Sequence, residues 1–188
     1  MRSFTEYKQK LSSMRPNIHM GGEVISRDDP ELAAPMNNIK LTFDMARAPE
    51  YQHLTTATSH ILNKTINRFC HIHRSADDLL KKQEMTRICC QKTPACIQRC
   101  MGTDMLNTLS VVTHEIDEAK GTQYYPRFLE YLKYFQENDL VGCAAQTDVK
   151  GDRSLRPHQQ ADPDLHLRVV AKRQDGIIVR GAKAHNSI

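Results

Sequence analysis

Near Asp139 the hydrophobic period of this 188-residue chain changes, and that change divides what the chain can fold into. Upstream, apolar residues recur at helical spacing; downstream they alternate, as in half-buried strands. The best-marked helix is "TPACIQRCMGTDMLNTLSVVTHEIDEAKG" at 93–121. Thr93 offers a capping hydroxyl, Pro94 stands where a missing N–H costs nothing, and Gly121 follows the end. "SADDLLKKQEMTRICCQK" has Ser75 as cap with Asp78 in the reciprocal position, and "PRFLEYLKYFQEN" sets Phe128, Leu129, Leu132 and Phe135 on one side. The spacing of Ile61, Leu62, Thr65, Ile66 and Phe69 predicts another helix over 59–69. "FTEYKQKLSSM" is an amphipathic opening, and "NNIKLTFDMARAP" predicts a short helix ending before Pro49.

After Asp139, "LVGCAAQTD" reads as a short strand and "VKGDRSLRPHQQADPD" as a long polar loop. Leu165, Leu167, Val169 and Ala171 then alternate before the turn residues Asp175 and Gly176, predicting a hairpin. The expected organisation is a helical domain over 1–139 and the beginning of a β-domain over 140–188. A hairpin with one apolar face is marginal alone, so the second region reads as unfinished and the chain as a fragment.

With 39% hydrophobic residues and few Pro and Gly, the chain reads as a globular, cytoplasmic protein. Its first residues lack the apolar core of a secretory signal, and no later stretch approaches a membrane span. The net charge of +4 comes from bases interleaved with acids, which reads as solvated helix faces and not as a nucleic-acid surface. Without a signal, Cys70, Cys89, Cys90, Cys96, Cys100 and Cys143 are core residues, redox thiols or metal ligands.

On one helix, Cys96 and Cys100 share a face and can point at a single inorganic centre, as half of an iron-sulfur or zinc site. By itself the spacing is a weak signal, and two small buried residues are the commoner reading of it. Cys89 and Cys90 face different ways, so at most one can join them. "CHIHR" with His71 and His73 lacks zinc spacing to the cysteines and reads as surface or core. The turn "QTDVKGDRS" after the expected strand can hydrogen-bond a flavin edge or a phosphate, or be an ordinary loop. "RGAKAHNS", with Lys183, His185 and Ser187, reads as an exposed connection.

Taken together, "NKTINRF", "QKTPACIQRCMGTDML", "FLEYLKYFQENDL", "QTDVKGDRS" and "DPDLHLRVVAKRQDGIIVRGAKAH" resemble the N-terminal part of the dehydratase branch of the 4-hydroxyphenylacetate 3-monooxygenase flavoprotein family. The resemblance runs in order from about Asn37 onward. It implies a mainly α chain: the N-terminal helical domain of an acyl-CoA dehydrogenase-like fold, followed by the start of a β-domain, in a family whose members are well over twice this length. It implies FAD and a 4Fe-4S cluster, a CoA-thioester substrate, a homotetramer of full-length subunits, and no nucleic-acid or membrane partner. The implied activity is the conversion of 4-hydroxybutyryl-CoA to crotonyl-CoA with isomerisation of vinylacetyl-CoA, a lyase and isomerase at full length and inactive as this piece.

By the same resemblance, Cys96 and Cys100 match a cluster-binding C-x3-C pair that the monooxygenase branch lacks, and Gln98 matches a Gln beside the cluster. Gln146, Thr147, Lys150, Gly151, Asp152 and Arg153 match a flavin-contact loop, and Ser187 stands where the dehydratases carry a Thr. The further cluster ligands, a His and a Cys, and the general bases belong to later parts of family chains. The other readings are an iron-free flavin monooxygenase acting on phenols and a non-catalytic remnant.

Overall fold

The computed structural model describes residues 1–93, 97 and 99–184; Pro94, Cys96, Gln98, His185 and Ser187 among the residues named above lie outside it. About half the chain is helical, with small two-stranded sheets. It divides into two compact units, Met1–Cys143 and Ala144–Ile188.

In the first unit α1 (Phe4–Ser12) starts from Ser3, whose hydroxyl accepts the Glu6 N–H while the Glu6 carboxylate accepts the Ser3 N–H. This reciprocal cap fixes the helix start. A small hairpin of β1 (Ile18–Met20) and β2 (Glu23–Ile25) leads to α2 (Ala33–Arg47), which ends before Pro49 as the sequence predicts. The short α3 (Gln52–Thr55) runs into β3 (Thr56–Thr58), paired antiparallel with β4 (Thr65–Asn67). After a 3-10 turn come α4 (Ala76–Lys92), α5 (Arg99–Lys120) and α6 (Tyr124–Glu137).

Local signals end most of these helices. The Ser75 hydroxyl accepts the Asp78 N–H, and the Asp78 carboxylate accepts from Arg74 N–H and the Ser75 hydroxyl. Gly121 takes a left-handed φ of 64° and closes α5 through an N–H donated to Asp117 O. The Asp117 carboxylate then accepts the Tyr124 and Tyr125 N–H groups at 2.8 Å, capping α6 from the preceding helix. Phe128, Leu132 and Phe135 are buried with Leu106, Ile66, Cys70 and Ile72 in the α5/α6 core. A second cluster joins Met45, Leu54, Phe69, Met85, Cys89 and Ile97, and a third joins Tyr7, Ile39 and Phe43.

Three expectations fail. Residues 59–69 form a turn and a strand, not a helix. The buried Ser59 hydroxyl accepts the Ile61 and Leu62 N–H groups, Asn63 takes φ 51°, and the chain doubles back to pair β4 with β3. Ile61, Leu62 and Ile66 still reach the core, so the spacing served a hairpin. Ile97 is not helical and α5 begins at Arg99, so Thr93 is not the N-cap of a continuous helix; it closes α4 instead, donating N–H to Cys89 O. "LVGCAAQTD" forms no strand, only an isolated bridge between Asp148 and Lys183.

The second unit carries the long polar loop and the expected hairpin, of β5 (Arg168–Arg173) and β6 (Gly176–Arg180); its turn falls at Gln174 and Asp175, one residue before the expected pair Asp175 and Gly176, because Gly176 pairs with Arg173 as the first residue of β6. Its apolar residues stay in solvent: Val169 is 48% exposed and Ile177 60%.

Candidate cofactor-binding sites

Cys100 is the second residue of α5 and is half-buried at the rim of the cluster of Met45, Phe69, Met85, Cys89 and Ile97. Cys96 lies outside the described residues, so the pairing of the two sulfurs is not described.

What fixes this helix start is Arg99, a residue that sequence reasoning passed over. Its side chain is only 1% exposed. Nη2 donates to Asp139 Oδ1 at 2.7 Å and to Leu140 O at 3.1 Å, and Nη1 donates to Thr42 Oγ1 at 3.3 Å. The guanidinium lies over the rings of Phe43 and Phe69, 4.7 and 5.5 Å from their centroids. Asp139, at φ 44°, gives its other carboxylate oxygen to the Arg2 N–H at 3.2 Å. One turn on, Thr103 donates its hydroxyl to Phe69 O at 2.7 Å, and Gly102 packs against the backbone of Gly142. The first turn of α5 is thus held from α2, from the 3-10 turn at 68–70 and from the end of α6.

The other described cysteines differ. Cys70 is buried, and burial pushes its thiol up to about 12; Cys89 is buried beside Met45, and burial pushes it up to about 11. Both are held as neutral packing thiols. Cys90 and Cys143 are exposed, so Cys89 and Cys90 do face different ways.

His71 is buried, with Nε2 3.2 Å from Asp78 Oδ1, an oxygen it shares with Arg68 Nη1 at 3.1 Å. Burial depresses His60, His71 and His73 below their usual range. Among the described residues no group of three or more His, Cys, Asp or Glu side chains is arranged to hold a metal ion. Of the two cysteines expected to bind the cluster, Cys100 lies within the described residues and Cys96 does not.

In the second unit, Ala184 N–H donates to Thr147 O at 2.9 Å, and Lys183 Nζ reaches Asp148 Oδ1 at 2.5 Å and Gln146 O at 3.2 Å. These contacts bring residues 146–148 beside 183–184, the segment leading to Ser187, with the Gln146 and Thr147 side chains exposed. The Lys183 hydrogen bond holds the Asp148 carboxyl below its usual range. Asp152 is turned to loop structure: Oδ1 accepts from Ser154 N–H at 2.9 Å and from the Ser154 hydroxyl at 2.6 Å. A Cβ on Gly151 would meet the ends of the Gln160 and Leu165 side chains, which pack over it. Lys150 and Arg153 are exposed on the same loop.

Residues 4–188 match the family described as 4-hydroxyphenylacetate 3-hydroxylase N terminal, and the chain belongs to that family. Within it, the chain is 48% identical over 184 residues to 4-hydroxybutyryl-CoA dehydratase/vinylacetyl-CoA-Δ-isomerase of Clostridium aminobutyricum, covering 97% of this chain and 38% of that protein. An oxygen-tolerant archaeal 4-hydroxybutyryl-CoA dehydratase from N. maritimus superimposes with a TM-score of 0.92 at 41% identity, over 98% of this chain and 37% of that one. The oxygenase component of 4-hydroxyphenylacetate 3-monooxygenase, solved with FAD and 4-hydroxyphenylacetate, gives a TM-score of 0.76 at 21% identity over 97% of this chain and 38% of its own, a likeness of fold. The chain spans less than two-fifths of each of these proteins. Among the described residues no helix is long and apolar enough to cross a membrane.

Proposed function

We propose that this chain is the N-terminal part of an FAD- and 4Fe-4S-dependent dehydratase that converts 4-hydroxybutyryl-CoA to crotonyl-CoA and isomerises vinylacetyl-CoA. The observation that carries the reading is the 48% identity to the Clostridium aminobutyricum dehydratase/isomerase over 97% of the chain. It is supported by the C-x3-C pair, whose second cysteine sits half-buried at a rigidly held helix start. Residues 1–139 are the helical domain of an acyl-CoA dehydrogenase-like fold and 140–188 open its β-domain. The complete enzyme is a cytoplasmic homotetramer acting on an acyl-CoA, and this portion alone is inactive.

When bound, the flavin supplies reversible electron exchange and the cluster supplies Lewis acidity toward a departing hydroxyl. This chain's share is binding and orientation. Cys96 and Cys100 provide two thiolates, with Gln98 between them. The exposed Gln146 and Thr147, beside 183–184, offer an amide and a hydroxyl to the polar edge of a flavin ring, with Ser187 as a further hydroxyl. Gly151 and Asp152 shape that loop, and Lys150 and Arg153 place positive charge on it.

The test is a chimera in which residues 1–188 replace the matching portion of the Clostridium aminobutyricum relative, purified without oxygen. The expected protein holds FAD and iron and dehydrates 4-hydroxybutyryl-CoA, and Cys100→Ser in it loses iron. Full iron and activity in the Cys100→Ser chimera would remove the ligand assignment. A folded, iron-free chimera that hydroxylates a phenol with dioxygen would replace the dehydratase reading by the monooxygenase one.

A further inference from the structure

Between the two cysteines stands the most completely buried charge of the first unit, and it serves neither a solvent contact nor a helix face. Arg99 reaches three separate pieces of chain, Thr42 on α2, Cys70 after β4, and Asp139 with Leu140 beyond α6, while its own backbone starts α5. A buried guanidinium needs acceptors for its N–H groups wherever it sits; here they lie on separate segments of chain, so the planar fork also fixes an orientation. Independently of that ion pair, the same turn is pressed against Gly142, where a Cβ on Gly102 would stand 2.6 Å from the carbonyl oxygen. The result is a helix start with little freedom to rotate or slide, and Cys100 is the next residue along.

We infer that the Arg99–Asp139 pair is the positioning device for the second cysteine of the C-x3-C motif: it sets the rotation of the first turn of α5, and so the direction in which Cys100 presents its thiol. Arg99 is a positioning residue and touches no reacting group. The inference rests on the reading of Cys96 and Cys100 as a convergent thiolate pair. Partners that orient metal ligands typically change affinity by about ten- to a hundredfold when removed.

A probe for convergent thiols that needs neither iron nor catalysis is phenylarsine oxide, whose trivalent arsenic condenses with two thiols held close together and releases water. The reduced 188-residue chain is titrated with it, and the adduct is located by peptide mapping. The wild-type chain is expected to bind across Cys96 and Cys100. Arg99→Met combined with Asp139→Leu, which replaces the ion pair by apolar side chains, is expected to keep its helical circular dichroism and to bind about tenfold more weakly. Arg99→Lys keeps the charge without the fork and is expected to bind several-fold more weakly; it decides the question if the double variant does not unfold cooperatively. Arg68→Lys is the control: this buried arginine serves Leu54 O, Thr56 O and Asp78, and its loss lowers the melting temperature without changing arsenical affinity.

Wild-type affinity in folded Arg99 variants overturns the positioning role and leaves the thiolate pair standing. An adduct that maps to Cys89 and Cys90 in the wild-type chain overturns the convergent pair itself, and the positioning role with it.

Discussion

Gly102 and Gly142 meet backbone to backbone: a Cβ built on Gly102 would stand 2.6 Å from the Gly142 carbonyl oxygen and 2.8 Å from its carbonyl carbon. Neither neighbour is a flexible side-chain tip that can swing away. Gly102→Ala is therefore expected to push α5 off the segment following α6 and to cost about 1–3 kcal/mol in chemical denaturation. An alanine variant as stable as the parent would mean that this contact is looser than described.

Ser59 is fully buried, donates its hydroxyl to Gln136 Oε1 at 2.6 Å and accepts two backbone N–H groups. Replacing it by Ala strands all three partners together. The expected loss is about 1–3 kcal/mol, read from the midpoint of urea unfolding. Gln136 also donates to Cys70 O at 2.8 Å, so Ser59→Ala should additionally speed hydrogen exchange at the β3–β4 turn.

The histidines give the fold an acid limit. His60, His71 and His73 are depressed by burial, so the unfolded chain binds their protons at a higher pH than the folded one. Stability should then fall as pH drops below about 6.5. Asp78 adds a second loss lower down. Burial opposes its charge, but the Arg74 N–H, His71 and Ser75 outweigh that and hold it at about 2. Its contribution is present above its ordinary value of 3.8 and disappears as pH falls toward 2. Thermal melts across this range should show both declines, and His73→Gln should flatten the upper one. A melting temperature unchanged from neutral pH down to about 5 would contradict the buried neutral state of the histidines.

Thiol chemistry separates packing cysteines from exposed ones. With Cys70 near 12 and Cys89 near 11, little thiolate exists on either at neutral pH. Alkylation by iodoacetamide should label Cys90 and Cys143 well before Cys70 and Cys89, which are slower by about a hundredfold or more until the chain is denatured. Early labelling of Cys89 would show that its cluster opens readily.

Features decided within a few residues were legible in the sequence. The Ser75 cap, the Gly121 stop, the apolar side of α6 and the existence of the β5–β6 hairpin each follow from local chemistry. Those decided by distant contacts were not. Residues 59–69 have helical spacing, yet Gln136, far along the chain, fixes Ser59 as a turn nucleus. Arg99 reads in isolation as one more surface charge. Its only sequence signal was position: it lies three residues before Gly102 and four before Thr103, on the side of the helix that also carries Leu106, and all three are buried. The expected strand after Asp139 gave way because Gly142 is engaged with Gly102 and Leu140 O accepts from Arg99. Of the candidate site, the motif resemblance named Cys100 and the 146–153 loop, whereas the pairing of residues 146–148 with Lys183 and Ala184 was not legible, since both partners read as loose connections.

The hydrogen bond from Arg2 N–H to Asp139 Oδ2 joins residues 137 positions apart, and Asp139 is also the partner of Arg99. On a ribosome that clasp cannot close until the last turn of α6 has left the exit tunnel. Until then the start of α1 has no anchor at that end and the Arg99 guanidinium has no counter-charge, so the unit is completed in one late event that joins its beginning, its middle and its end. Nascent chains arrested before residue 139 should accordingly be cut near Arg2 by a protease that spares chains arrested well beyond it.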